Sequence, residues 1–215
     1  MKYQVNALKV SQGKHTLLAI DALQLTGPGL VVIHGPSGAG KSTLLMALAG
    51  LIPNYSGQIY LQDTLITNKT GNRLRQHCIG YLFQNFELIG ALSALDNVLL
   101  RADAMQINAD ANRARSLLTQ FGITEVNKPA RRFSRGQQQR IALARALYGE
   151  PEVLLCDEPT ASLDAANAHE VASALVQQAE SKLVIVSTHD QNLLALASSS
   201  IHLAFGRLEQ SACAA

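Results

Sequence analysis

What the sequence lacks narrows it before any motif does. No apolar run approaches the roughly 18 residues that a membrane-crossing helix needs, so nothing in the chain is expected to span a bilayer. The opening MKYQVNALKV has no apolar core of the kind a secretory leader carries, which points to the cytoplasm. An excess of one charge is missing too: 18 basic against 16 acidic residues leave +2, no electrostatic footing for nucleic acid or an anionic membrane. Cysteine is scarce, and Cys78, Cys156 and Cys213 lie far apart without C-x-x-C spacing. That excludes a disulfide framework and a metal knuckle and fits a reducing compartment. With no internal repeat, low-complexity tract or linker, 215 residues make one domain with a sizeable core and room for a subdomain.

What is present is organised around Gly35-Pro36-Ser37-Gly38-Ala39-Gly40-Lys41-Ser42-Thr43, which matches G-x-x-x-x-G-K-[ST]. Leu30-Val31-Val32-Ile33 leads in and Leu44 to Ala49 leads out, the strand–loop–helix context that separates a site from a glycine-rich turn. A polyphosphate must be wrapped closely by backbone amides, and Gly38 and Gly40 remove β-carbons that would hold it away. The helix starting near Lys41 aims its unpaired N–H groups and positive dipole end at the anion. Lys41 is placed to reach the β- and γ-phosphates, and Ser42 to offer its hydroxyl to Mg²⁺.

Around this loop the pattern alternates. Residues 3–33 read as short strands broken at Ser11-Gln12-Gly13 and Gly27-Pro28-Gly29. The loop helix should end near Leu51, Gly57–Leu61 should be a strand, and Asn68–Arg75 a polar connection. Ile79–Phe83 reads as a buried strand delivering Gln84. Helices are expected over Asn97–Met105, Ala109–Phe121 and Gly136–Tyr148, then a strand at Val153–Cys156, a helix over Ala165–Glu180 and a last core strand at Leu183–Val186. Ile201–Leu208 reads as a terminal hairpin around Gly206. Strands alternating with helices predict an α/β fold with a mainly parallel sheet covered on both faces. The helical block, about 86–150, reads as a subdomain inserted between core segments of about 1–85 and 151–215.

Further residues gather on the phosphate side. Leu154-Leu155-Cys156-Asp157-Glu158 is an apolar strand ending in two acids. Asp157 would hold Mg²⁺ through its water shell, and Glu158 would polarise the attacking water; a lone Asp-Glu pair elsewhere would simply be solvated. Gln84 offers an uncharged amide able to touch both metal and water, although by itself it is also an ordinary loop amide. His189, just after the last core strand, would donate to the γ-phosphate or else be a satisfied core histidine. Ser134 caps a helix whose apolar positions Ile141, Ala144 and Tyr148 share a face, with Gly149 and Pro151 closing it. Its start, with Gly136 and Gln137, is a second anion-binding helix end. Two such ends for one nucleotide are explained economically by two copies facing each other.

The set GPSGAGKST, Gln84 in FQNF, FSRGQQQR, LLCDEPTASLD and STHD, in this order, resembles the ATPase subunits of ABC transporters over essentially the whole chain. The resemblance implies a P-loop, RecA-like core with an N-terminal antiparallel β part and an inserted helical subdomain. It implies ATP and Mg²⁺ as ligands, a head-to-tail dimer with two ATPs at its interface, and an integral membrane permease subunit that keeps the chain on the inner face of the cell membrane. It gives Gln84 to the Q-loop, Ser134–Gln137 to the signature, Glu158 to the general base, Ala161–Asp164 to the D-loop and His189 to the switch. FQNFELIGALSALDNV is similar to the lipoprotein-release and macrolide-export branch, with Phe86, Leu88, Ile89 and Leu92 as an apolar patch for the membrane subunit. The alternative is a soluble ABC-type ATPase; the duplicated cassette, long coiled coil or basic tail usual there is not seen. A small GTPase would want N-K-x-D, and Asn68-Lys69-Thr70-Gly71 fails at its fourth position. Two departures stand out. Val10–Gly13 lacks the aromatic that family members place there to stack on adenine, leaving His15 and Tyr3 as substitutes nearby. Arg135 stands where the signature usually has Gly, and solvent is its expected surrounding.

Overall fold

The computed structural model describes residues 1–161 and 163–209, so Cys213 and Ser162 of the D-loop lie outside the described residues. Along the first part come β1 (Lys2–Gln12), β2 (His15–Thr26), β3 (Gly29–His34), α1 (Lys41–Leu48), β4 (Ser56–Leu61), β5 (Thr64–Leu65), α2 (Asn68–His77) and β6 (Ile79–Leu82). Then follow α3 (Ala94–Met105), α4 (Ala111–Gln120), α5 (Arg135–Leu147), β7 (Val153–Asp157), α6 (Ala165–Ala179), β8 (Leu183–Ser187), α7 (Gln191–Ala195), β9 (Ser199–Ala204) and β10 (Arg207–Glu209). One sheet is antiparallel in the order β2-β1-β4-β5; the other runs β10-β9-β3-β8-β7-β6, parallel except for β10.

The central parallel strands β3, β7 and β8 are apolar along most of their length because both of their faces are covered. In β3, Leu30 and Val32 enter one core while Val31 and Ile33 enter the other. Leu154 and Cys156 of β7 and Val184 and Val186 of β8 join the first; Val153, Leu155, Leu183 and Ile185 join the second. Burial of each large aliphatic side chain contributes about 1.5–3 kcal/mol. The first core is shared with α3, α4, α5 and α6, so the apolar interior of the helical block is continuous with that of the sheet. The second lies between the sheet, α1 and the antiparallel strands.

Register is what builds the site. Ile33 and Asp157 both pair with Ser187, and Leu82 pairs with Cys156. The carboxyl ends of β3, β6, β7 and β8 therefore share one edge, the edge where open parallel sheets bind ligands.

Two local expectations change. Asn68–Arg75 is helical, as part of α2, and not a connection. The Thr67 hydroxyl accepts from the Thr70 amide at 3.2 Å and Thr70 Oγ1 accepts from the Thr67 amide at 2.8 Å, a reciprocal cap. Only Gly71 and Leu74 of this helix are buried, and Arg75 donates to the carbonyls of Ala49 and Gly50, just past the end of α1, at 2.9 and 2.6 Å. The strand at Leu183–Val186 is not the last in the sheet. Ile201–Leu208 does form a hairpin around Gly206, but its first strand, β9, lies parallel against β3.

Candidate nucleotide-binding site

The loop after β3 is held open by its neighbours. Gly35 has φ +147°, and a β-carbon there would lie 2.0 Å from the Leu203 carbonyl oxygen of β9. Gly40, at φ +99°, is the N-cap residue of α1 and supplies no side-chain cap, so no side chain occupies the first amides of that helix. Lys41 is buried; its Nζ donates to the carbonyls of Gly35 at 2.9 Å and Pro36 at 3.2 Å and faces Glu158 Oε1 at 3.6 Å. Ser37, Gly38, Ala39, Gly40, Lys41, Ser42 and Thr43 line a cavity of about 490 Å³ with Gln84 and Glu158. That is ample for a nucleotide.

The acids come from the next strands. Asp157, buried at the end of β7, accepts from the Ser42 hydroxyl at 2.9 Å and from the Ser187 hydroxyl of β8. Its neighbour Cys156 is fully buried, and burial pushes its thiol far above the usual range, so it is an inert core group. Glu158 has φ +47°, a left-handed conformation that costs a non-glycine residue about 1–3 kcal/mol and turns its side chain away from the strand direction. Its Oε2 is 3.0 Å from His189 Nδ1, but the pair lacks hydrogen-bond alignment, and that oxygen is a buried acceptor without a donor. His189 is 74% exposed at the rim. Behind it, Asp190 accepts from Thr160 Oγ1 at 2.9 Å and from the Asn192 amide at 2.9 Å, which anchors the segment that carries His189. Gln84 is exposed on the cavity wall just past β6.

The signature segment lies elsewhere. Ser134 Oγ accepts from the Gln137 amide at 3.3 Å, and Gln137 Oε1 accepts from the Ser134 amide at 3.0 Å, a closed capping box at the start of α5. Gly136 is buried, and a β-carbon there would lie 2.8 Å from Asn167 Oδ1. Asn167 is itself held by Asp164, through its amide at 2.9 Å and its side chain at 2.6 Å. Close approach of the Asn167 side chain of α6 therefore favours glycine here. None of Ser134, Gly136 or Gln137 lines the cavity over the phosphate loop.

Other expectations shift. Tyr3 is fully buried and donates to the Leu48 carbonyl at 3.1 Å, so it is core and not a base platform; His15 begins β2 outside the cavity lining. Arg135 is solvent-exposed, as expected, and outside the cavity lining; its guanidinium also lies 5.1 Å from the centroid of the Phe86 ring. Phe86 is 5% exposed and belongs to the core, which removes it from the exposed patch; Ile89 is 49% exposed. Four lining residues escaped the sequence reading, Thr16, Leu17, Phe205 and Gly206. They reach the loop from β2 and the β9–β10 turn, and no local pattern signals such distant neighbours. A second cavity of about 470 Å³, between Phe121, Arg140, Leu143 and His169, carries no glycine-rich backbone and sits apart from this chemistry.

A lysine-bearing phosphate loop opening a helix, backed by a strand that ends in Asp-Glu, defines a P-loop nucleotide-binding ATPase fold. Residues 9–161 match the model of the ABC transporter family, and the chain belongs to that family as its ATP-binding cassette, the ATPase domain of these machines. It is 40% identical over 200 residues to an uncharacterized ABC transporter ATP-binding protein, Rv2564 of Mycobacterium tuberculosis, covering 88% of this chain. The chain spans 60% of that relative's length. It is 36% identical to YbbA, an uncharacterized ABC transporter ATP-binding protein of Escherichia coli, over 97% of both chains. Among solved structures it is similar to the dimeric ATP-binding cassette MJ0796 bound to ADP and Pi in a post-hydrolysis state, with a TM-score of 0.88, 30% identity and 97% of both chains covered.

Proposed function

We propose that this chain binds ATP with Mg²⁺, hydrolyses it, and energises an integral membrane permease subunit by closing as a head-to-tail dimer. The observation that carries the dimer is the separation of its parts: the signature residues Ser134, Gly136 and Gln137 do not line the cavity of their own chain. A second copy is what their helix start would serve. The MJ0796 cassette, dimeric with ADP and Pi, supports this reading.

The residues divide the work as follows. Lys41 exchanges its loop carbonyls for the β- and γ-phosphates. Ser42, Asp157 and Gln84 form a hard-oxygen set of the kind that takes Mg²⁺ together with phosphate oxygens, and Mg²⁺ there would neutralise phosphate charge. Glu158, whose Oε2 has no donor, accepts a proton from water. The water oxygen bonds to the γ-phosphorus, and the bond from phosphorus to the bridging oxygen breaks, leaving ADP. His189, beside that oxygen, contacts the γ-phosphate.

Coupling to a membrane subunit is supported by a groove of about 330 Å³ beside Gln84, walled by Leu51, Tyr81, Phe83, Leu100 and Ala146. The segment after Gln84 is tied to the signature helix, because Arg145 donates to the carbonyls of Phe86 and Glu87. Asn97, fully buried, holds the backbone of Ile89 and Ser93. The segment Phe83–Val98 supports placement in the lipoprotein-release and macrolide-export branch, and no helix among the described residues is long and apolar enough to cross a membrane. The test is Glu158→Gln, which keeps the shape but removes the base. Light scattering should then show a dimer with ATP and Mg²⁺, and monomer with ADP. A Glu158→Gln chain that stays monomeric in saturating ATP, even with its permease present, would refute the sandwich.

A further inference from the structure

We infer that Phe205 is the platform on which the base of the nucleotide stacks, replacing the aromatic missing from the β1–β2 turn. This deepens the ATP-site reading and rests on it. Phe205 is 92% exposed and is the single aromatic side chain among the residues lining the phosphate-loop cavity; Leu17, 38% exposed, is its apolar neighbour in that lining. The fold itself does not explain a phenylalanine here. Phe205 and Gly206 form a two-residue hairpin turn with φ values of +49° and +73°. Left-handed backbone at both central residues suits Asn-Gly or Asp-Gly, and a bulky side chain is a poor choice for the first position. The ring is thus neither buried by the protein nor favoured by its turn. Strained, exposed residues of this kind cluster at ligand clamps.

The turn is also fixed relative to the phosphate loop. The Gly206 amide donates to the Ala39 carbonyl at 3.0 Å, inside the loop itself, and the Gly206 carbonyl accepts from the Ala19 amide of β2 at 2.7 Å. A β-carbon on Gly206 would lie 2.6 Å from the Leu17 carbonyl oxygen, so the hairpin is closed down on β2. A platform anchored to the residues that hold the phosphates is preorganised for the other end of the same ligand. Stacking on a phenyl face tolerates any base, so this contact gives affinity with little choice between adenine and guanine.

The experiment is calorimetric binding of ATP and of inorganic tripolyphosphate, which has no base, to the full chain and its variants. Phe205→Asn should weaken ATP on the order of tenfold, within the roughly 5- to 150-fold worth of a base–aromatic stack. Tripolyphosphate binding should not change, and the thermal midpoint should hold or rise because Asn-Gly is the favoured pair for this turn. Phe205→Trp should keep ATP affinity, and as the sole tryptophan of the chain its emission should respond to ATP but not to tripolyphosphate. Unchanged ATP affinity in Phe205→Asn overturns the inference. So does equal weakening of both ligands together with a lower thermal midpoint, which marks a structural role. Wild-type protein that binds both ligands equally tightly overturns this inference alone; wild type that binds neither overturns the cavity assignment with it.

Discussion

Two helix starts in this protein are built from similar materials and left in opposite states. At α1 the N-cap residue is Gly40, which brings no side chain, so the first amides of the helix face the cavity uncovered by any cap. At α5 the N-cap is Ser134, and its hydroxyl and the Gln137 side chain cover the backbone donors of that turn reciprocally. The first start is therefore ready for an anion with nothing to break. The second must open, or turn its hydroxyl aside, before it can contact a phosphate. In the isolated chain the phosphate loop is a binding site and the signature is a finished helix end. In the proposed dimer this asymmetry would let ATP load before two copies close.

The largest test of the contrast is Lys41→Ala. Removing the cation from the open start should reduce turnover by about 10²-fold or more, as loss of one preorganised charge stabiliser does, and weaken ATP in equilibrium binding. Wild-type hydrolysis in that variant would mean that the open start is not the working one. Ser134→Ala comes next. It should cost about 1 kcal/mol in chemical denaturation, the usual worth of a cap, while monomeric ATP binding stays as it was. No equivalent loss is available at Gly40, and a weakened ATP affinity in Ser134→Ala monomer would blur the two ends. Gly136→Ala is smaller. Its new methyl meets the Asn167 amide, while alanine in the first turn of α5 regains part of the roughly 1 kcal/mol that separates it from glycine in a helix interior. The net loss should be near 0.5 kcal/mol, and Asn167→Ala in the same chain should erase it. Without that rescue, α6 is not what favours the glycine.

The smallest effect concerns pH at the entrance to the open start. His34, whose ring lies 4.9 Å from that of His202, has its pKa lowered by burial first and then by the positive charges of His202 and Lys41. A lowered folded value means that the unfolded chain binds the proton more readily. Its contribution to stability is thus complete above the unfolded pKa of about 6.5 and is lost as pH falls from there through the folded value. Denaturation midpoints of His34→Gln should depend less on pH in that window than those of the wild type. No matching change is expected from substitutions around Ser134, and equal slopes in the two proteins would discard the effect.

The open start was legible because its chemistry is local: nine consecutive residues, an apolar strand before and an apolar helix after. Strands β3, β7 and β8 were legible for a related reason, since burial on both faces writes an unbroken apolar run. Helix α2 was not, because only Leu74 and Gly71 face inward and its polar surface reads as a loop; the signal was the Thr67–Thr70 pair. Strand β9 was half hidden, since Ser199 and Ser200 pair with β3 without looking like a strand. The capping of Ser134 was readable. The contact of Gly136 with Asn167, the stacking of Arg135 on Phe86 and the approach of Phe205 to the loop were not, because each joins segments far apart in sequence.

The pairing of β3 has a consequence for the order of synthesis. The phosphate-loop motif leaves the ribosome early, yet the neighbours of β3 are β8 and β9, made near residues 183–204. The antiparallel strands β1, β2 and β4 can pair among themselves as soon as they emerge, since their partners are close in sequence. The loop cannot, and the carbonyl of Ala39 waits for the amide of Gly206. A nascent chain thus carries the whole motif through most of its translation without the scaffold that shapes it. The ability to hold ATP is expected to arrive late and abruptly, so a prematurely terminated copy would not spend nucleotide.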